Sequence, residues 1–179
     1  MIIGITGKKG SGKDTLGLYI SQKYGYIRYA FGDPVKEICK ILFSLSEEQL
    51  HGNDKENITT LGITPRESFQ KIGTDFGRDI IHNMFPTLNF IKGNLWVEIF
   101  NSYYNKNNNK NILITDVRFQ NEVDIIKKNG GKIIYLNSLY CNNNDNHKSE
   151  NDIIDYDIII DNKGTIQELY DNFDKLKLI

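Results

Sequence analysis

The residues best suited to chemistry lie in three stretches. The first, G-K-K-G-S-G-K-D-T, runs from Gly7 to Thr15. Its glycines let the backbone wrap so that several N–H groups aim at one anion, and a helix starting behind the turn adds its positive end. Lys9, Gly10, Ser11 and Gly12 supply that wrap, and Lys13 puts a full charge where the outer phosphates of a polyphosphate would lie. The position after such a lysine ordinarily carries a hydroxyl for a magnesium ion. Here it is Asp14, and the hydroxyl arrives one place later on Thr15. A carboxylate beside phosphates is repelled unless a cation lies between them or it points away. Asp14 therefore reaches magnesium through water, orients Lys13 or the acceptor's ligands, or simply favours the first turn of a helix. Thr15 can offer its hydroxyl to an α-phosphate or to the metal shell.

The second stretch is I-T-D-V-R-F-Q-N-E, from Ile114 to Glu122. An apolar strand ending at Asp116 places a carboxylate at the carboxyl edge of a sheet, where ligands of open α/β folds bind. Asp116 is suited to hold water on magnesium or to position a substrate group. Arg118 is suited to clamp a phosphate, and Glu122 to fix Arg118 or meet a sugar hydroxyl. The alternative is a surface ion-pair cluster. The third stretch, R-E-S-F-Q-K-I-G-T-D-F-G-R-D, carries Arg66 and Arg78. Arginine occurs otherwise only at Arg28 and Arg118 in a chain rich in lysine, asparagine and isoleucine. Lysine does not reproduce the two-pronged guanidinium grip on phosphate, so the few arginines kept are places to look for function.

These stretches must be positioned by folded elements. Ile2–Thr6 reads as a buried parallel strand, and Leu16, Tyr19, Ile20 and Tyr24 recur at helical spacing behind the loop. A short strand is expected from Tyr26 to Phe31, followed by a helix with Asp33 as N-cap and Pro34 in its first turn. The chain from Ser46 to Ile63 is polar and reads as a mobile surface segment outside the core. Thr64, Pro65 and Glu67 mark a helix start with a capping box, and Gly73 and Gly77 are expected to weaken or break that helix before Arg78. Further helices are expected from Asn94 to Tyr104 and from Glu122 to Gly130, and further strands at residues 111–115, 132–137 and 157–161. A polar loop is expected over residues 138–152 and a closing helix from Gly164 onward. Strands apolar on both faces alternating with helices imply one α/β domain over residues 1–179, with a parallel sheet between two helical layers.

Composition bounds the partners. A net charge of -1 offers no broad basic surface for a long nucleic acid. No segment approaches the ~20 apolar residues of a membrane span. Cys39 and Cys141 match no metal or redox spacing, which points to a reduced, intracellular, cytoplasmic protein, in the host cytoplasm if its source is viral. Dimers are common among small enzymes, so a homodimer stands open beside the monomer.

SGKDT, FGDPVKE, RESFQKIGTDFGRD and TDVRFQNEVDIIKKNGG resemble, in this order, the deoxynucleoside monophosphate kinases of phages and large DNA viruses. The resemblance extends from Met1 to DYDIIIDNKGTIQELY. It implies a three-layer P-loop kinase fold with a five-stranded parallel sheet, and transfer of a phosphoryl group from ATP, with magnesium, to a deoxynucleoside monophosphate. Acid-then-threonine after the loop lysine is usual there. The resemblance places the phosphates of ATP on Gly10, Gly12, Lys13, Asp14 and Thr15. It places the acceptor among Asp33, Lys36, Arg66, Gln70, Arg78, Trp96, Asp116, Arg118 and Glu122, with Lys13, Arg66, Arg78 and Arg118 sharing the neutralisation of charge. Trp96 is either a stacking surface for the base or part of the core. Gln120 stands where the family typically has proline, which implies a less rigid loop after Arg118. The stretch D-N-H-K-S-E around His147 also resembles the family, without an assigned role. Residues 46–63 and 83–93 are candidate moving parts. Other readings are a P-loop kinase similar to dephospho-coenzyme A kinase or phosphomevalonate kinase, and an ATP-binding protein without an acceptor.

Overall fold

The computed structural model describes residues 1–138 and 155–178. The strands are β1 (Ile2–Thr6), β2 (Ile27–Tyr29), β3 (Ile112–Ile114), β4 (Lys132–Ser138) and β5 (Ile158–Asn162). The helices of the first half are α1 (Lys13–Tyr24), α2 (Asp33–Phe43), α3 (Glu47–His51), α4 (Pro65–Gln70) and α5 (Ile81–Met84). They are followed by α6 (Leu95–Lys106), α7 (Gln120–Lys128) and α8 (Ile166–Asp174). The chain forms two compact units, one of Met1–Ala30 with Tyr104–Ile179 and one of Phe31–Tyr103.

The first unit holds a five-stranded sheet in the order β2-β3-β1-β4-β5. Every pairing is parallel, as expected from strands that read as continuous apolar runs. β1 is central and buried along its whole length. Alternation along it sends successive side chains to opposite layers. Ile3 and Ile5 join a core with Leu16 and Ile20 of α1 and Leu169 and Phe173 of α8. Gly4 turns the other way, where an added Cβ would lie 2.7 Å from Ile133 Cδ1 and 3.0 Å from Ile126 Cδ1 of α7. Helices therefore cover both faces, and the three-layer expectation holds. Gly17 brings α1 down onto the side chains of Thr115 and Leu113. The closing helix begins with a complete capping box, Thr165 with Glu168.

The second unit is a single stretch of chain whose regular elements are all helical, joined by turns, and it departs from expectation in three places. Asp33 is the first helical residue of α2 and Gly32 is the cap. The Gly32 backbone is already near helical, so the turn starts one residue early, and Pro34 still sits where its missing N–H costs nothing. Residues 46–63 are not purely a polar surface stretch. Ser46 Oγ accepts from the Gln49 amide at 3.3 Å and Gln49 Oε1 from the Ser46 amide at 2.9 Å. This box starts α3 and lets Leu50 bury completely; a 3-10 turn follows at Asp54–Glu56. Finally, Gly73 and Gly77 do not break the helix begun at Pro65. Thr64 Oγ1 caps it through the Glu67 amide at 3.1 Å, and after Gln70 it widens into a π-helical stretch, Lys71–Ile80, that runs on into α5.

Cys39 is a buried free thiol whose pKa burial pushes up. Cys141, His147 and the rest of the expected polar loop beyond Ser138 lie outside the described residues. Among the described residues no helix is long and apolar enough to cross a membrane.

One polar clamp ties the last helix to the first. Asp174 accepts from Tyr19 at 2.7 Å, Lys23 at 2.6 Å and Tyr24 at 2.7 Å, while the Tyr19 and Tyr170 rings stack at 3.9 Å. The Lys23 bond, then those of the two phenols, lower the Asp174 pKa from 3.8 to about 2. The contribution of an acid depressed on folding is complete above its ordinary pKa and lost as pH falls through the folded value. Asp174→Asn should therefore lower the melting temperature by a few degrees at pH 7 and narrow its gap to the parent as pH drops from about 4 toward 2. Thermal unfolding across that range checks this; a gap constant with pH would remove Asp174 as the titrating group.

Candidate active site

The loop after β1 leaves the centre of the sheet at its carboxyl edge. Gly7, Gly10 and Gly12 hold φ values of 144°, 81° and 96°, the left-handed region open chiefly to glycine. At Gly7 a Cβ would also meet Leu136 O at 2.7 Å. Ser11 is fully buried, and its amide closes the turn on Lys8 O at 3.1 Å. The Ser11 hydroxyl has no protein partner among the described residues. Lys13 folds back over the loop, its ammonium donating to Gly7 O at 2.6 Å and Lys8 O at 2.8 Å. Asp14 is exposed and Thr15 half-buried in the first turn of α1.

Register places the second stretch beside this loop. Gly4 pairs with Ile114, so Asp116 leaves β3 on the same edge, level with the end of β1; the Val117 amide still donates to Ile5 O at 3.3 Å. Glu122 is almost wholly buried and takes the backbone amides of Arg118 at 2.8 Å and Phe119 at 3.2 Å. Of its two expected roles, that geometry is the fixing of Arg118, through the main chain. Gln120 replaces the rigidity of a proline with hydrogen bonds. Its amide nitrogen donates to Asp124 at 2.8 Å and to Asp155 Oδ2 at 3.4 Å, and its oxygen accepts from the Asp155 amide at 3.1 Å. The loop after Arg118 is therefore anchored, contrary to expectation.

The second unit carries the other expected residues. Asp33 and Lys36 lie in the first turns of α2, and the Lys36 ammonium is 3.4 Å from His51 Nδ1. Arg66 and Gln70 lie on α4, and Arg66 forms an ion pair with Glu56 of the preceding 3-10 turn. Arg78 sits in the last turn of the π-helical stretch and donates to Gly93 O at 3.3 Å.

Trp96 resolves toward the core. Its side chain is buried and its indole N–H donates to Gly73 O at 2.7 Å. A Cβ on Gly77 would lie 2.6 Å from Trp96 Cε2 and 2.7 Å from Nε1. Gly77, with the Gly73 carbonyl, thus forms a slot for the indole, and Arg78 follows one residue after Gly77. A base-stacking role for Trp96 does not fit an indole of α6 buried against the π-helical stretch.

Three site features escaped the sequence reading. Glu56 sits in a stretch read as solvent-facing. The pairing of Gly77 with Trp96 spans nineteen positions, from 77 to 96. Asn162, at the end of β5, donates to Ser11 O at 2.9 Å; its signal was its place on the ligand edge, just before the glycine and cap of D-N-K-G-T.

The profile of the deoxynucleotide monophosphate kinase family matches residues 1–80 and 46–173. The chain belongs to that family. A protein of Acanthamoeba polyphaga mimivirus named as a deoxynucleotide monophosphate kinase is 39% identical over 95% of this chain and 92% of its own length. The deoxynucleotide monophosphate kinase of Enterobacteria phage T4 is 23% identical over 94% of this chain and 95% of its own. The deoxynucleoside-5'-monophosphate kinase of Escherichia phage T5 is 26% identical over 59% of this chain and 38% of its own. Shikimate kinase of Aquifex aeolicus aligns with 99% of this chain and 96% of that one, at 16% identity and a TM-score of 0.49. The glycine loop, expected from its spacing between a strand and a helix, sits in a chain of this kinase family.

The two glycines of the indole slot should respond differently to a methyl group. At Gly73 an added Cβ meets only Val35 at 3.5 Å or more, so Gly73→Ala should be neutral or stabilise by about 0.5–1 kcal/mol. Gly77→Ala should cost about 1–3 kcal/mol, because the ring cannot give way without losing its hydrogen bond. Denaturant unfolding, followed by the emission of the single tryptophan, measures both. Equal effects at the two positions would refute the slot.

Proposed function

We propose that the protein transfers the γ-phosphoryl group of ATP to the phosphate of a deoxynucleoside monophosphate, releasing ADP and a deoxynucleoside diphosphate, through one catalytic domain spanning residues 1–179. The observation that carries the reading is the glycine cradle at the carboxyl end of the central strand, with Lys13 at its rim, in a chain of this family.

The loop Lys9–Thr15 holds the donor through backbone amides, the end of α1 and Lys13. Lys13 is the one loop residue whose charge can leave the Gly7 and Lys8 carbonyls for phosphate oxygens. Asp33, Lys36, Arg66, Gln70 and Arg78 hold the acceptor and its phosphate. The attacking atom is an oxygen of that phosphate, already anionic, so the site needs no general base. A bond forms from it to the γ-phosphorus as the bond to the β–γ bridging oxygen breaks, and ADP leaves with the electron pair. Alignment and charge neutralisation do the work, shared by Lys13, Arg66, Arg78 and Arg118.

Asp14, Thr15 and Asp116 fit magnesium. Among the described residues no group of three His, Cys, Asp or Glu side chains forms a cage of its own. Magnesium characteristically takes one or two carboxylates and fills its shell with waters and substrate phosphates. Bound there, it would supply positive charge to the phosphate oxygens. Asp14 then has a reason to stand beside polyanions.

Release of ADP should depend on at least one of the four common deoxynucleoside monophosphates or dUMP, with ribonucleotides as controls. ATP hydrolysis indifferent to every acceptor would refute the assignment. Arg118 is exposed, with its backbone fixed by Glu122. Arg118→Lys should therefore keep the melting temperature and lower turnover by roughly two orders of magnitude or more. Parent-like kinetics in the folded variant would remove Arg118 from the mechanism.

A further inference from the structure

Asn162 stands outside every residue assigned so far, yet it touches the phosphate loop at its tightest point. Its amide nitrogen donates to Ser11 O at 2.9 Å across 151 residues of chain. The same nitrogen lies 2.7 Å from where a Cβ would stand on Gly12, so it occupies the space that this glycine leaves open. Ser11 and Gly12 share one peptide plane, and among the described residues no peptide is cis. In a trans peptide the C=O and N–H point to opposite sides. Holding Ser11 O from the β5 side therefore turns the Gly12 N–H away from Asn162. That N–H makes no protein hydrogen bond among the described residues.

We infer that Asn162 is a positioning residue for the donor: by gripping Ser11 O it locks the Ser11–Gly12 peptide with the Gly12 amide aimed at the phosphate chain. The inference rests on the reading of the loop as the ATP phosphate site. Two further features fit it. Gly12 lies in the left-handed region with φ 96° and ψ 13°, where glycine has several accessible conformations and its flanking peptide can rotate. Asn162 itself is fixed in register at the end of β5, opposite Ser138, so the brace is carried by the sheet and not by a loop. An asparagine is suited to the task because it donates without bringing charge near the phosphates.

The test uses the whole protein and Asn162→Leu, which keeps the side-chain shape and removes the donor. Binding of ATP and of inorganic tripolyphosphate is measured by calorimetry, with KM for the deoxynucleoside monophosphate alongside. Loss of one oriented amide should weaken both polyphosphates alike, by about five- to tenfold, and leave the acceptor KM and the melting temperature unchanged. Should the leucine variant fail to fold, Asn162→Ser, too short to reach Ser11 O, takes its place with the same expectation. Parent-like tripolyphosphate affinity in a folded variant overturns the inference. So does weaker ATP binding with tripolyphosphate unaffected, which would place Asn162 at the nucleoside. A parent protein that binds neither polyphosphate refutes the loop reading itself, a separate failure visible before any variant is made.

Discussion

Backbone amides can converge on an anion only if the chain adopts torsion angles that side chains forbid. Gly7, Gly10 and Gly12 accept left-handed torsions within six consecutive residues, between a strand that is wholly buried and a helix that starts at Lys13. Much of the first unit serves to keep that turn in one shape. β1 is gripped on both sides by parallel neighbours. Ser11 is buried and its carbonyl is tied to β5, while the ammonium of Lys13 rests on two carbonyls of the same loop. Without these ties a glycine-rich segment would sample many shapes, and the entropy of ordering it would be charged to ligand binding.

Glycine does a second job in this protein, which is to let elements approach. Gly4 admits Ile133 and Ile126 against the central strand, and Gly17 seats α1 on Thr115, next to Asp116. In the second unit Gly77 admits the Trp96 ring, and the helix answers by widening into a π-helical stretch that ends near Arg78. π-helical segments are marginal on their own and concentrate at functional sites. Here the indole N–H on Gly73 O and the ring against Gly77 give that geometry a cause.

Acidic partners set the arginines. Glu122 holds the Arg118 backbone and Glu56 pairs with the Arg66 side chain. A guanidinium is useful to a phosphate only in a defined orientation, and its cost of ordering is lower when a carboxylate has already restrained it. Within each unit, then, a carboxylate restrains one arginine: the Arg118 main chain in the first, the Arg66 side chain in the second.

The layer order, the phosphate loop, the strand ending in Asp116 and most helix limits were legible in the residues themselves. So was the closing helix, whose Thr165–Glu168 box spans one turn. These features depend on neighbours a few positions apart: alternation for strands, three- and four-residue recurrence for helices, glycine where torsions must be left-handed. The short helix at Glu47–His51 was also within reach, since Ser46 and Gln49 are its signature, but the surrounding polarity hid it. What only the tertiary structure decided is partner choice over long distances. Gly73 and Gly77 read as helix breakers until an indole nineteen residues on fills the space beside Gly77. Asn162 reads as a turn residue until sheet order brings it to Ser11. Local pattern constrains which backbone shapes are cheap; which side chain occupies the space they leave is settled by packing, and packing sums over residues the local pattern never sees.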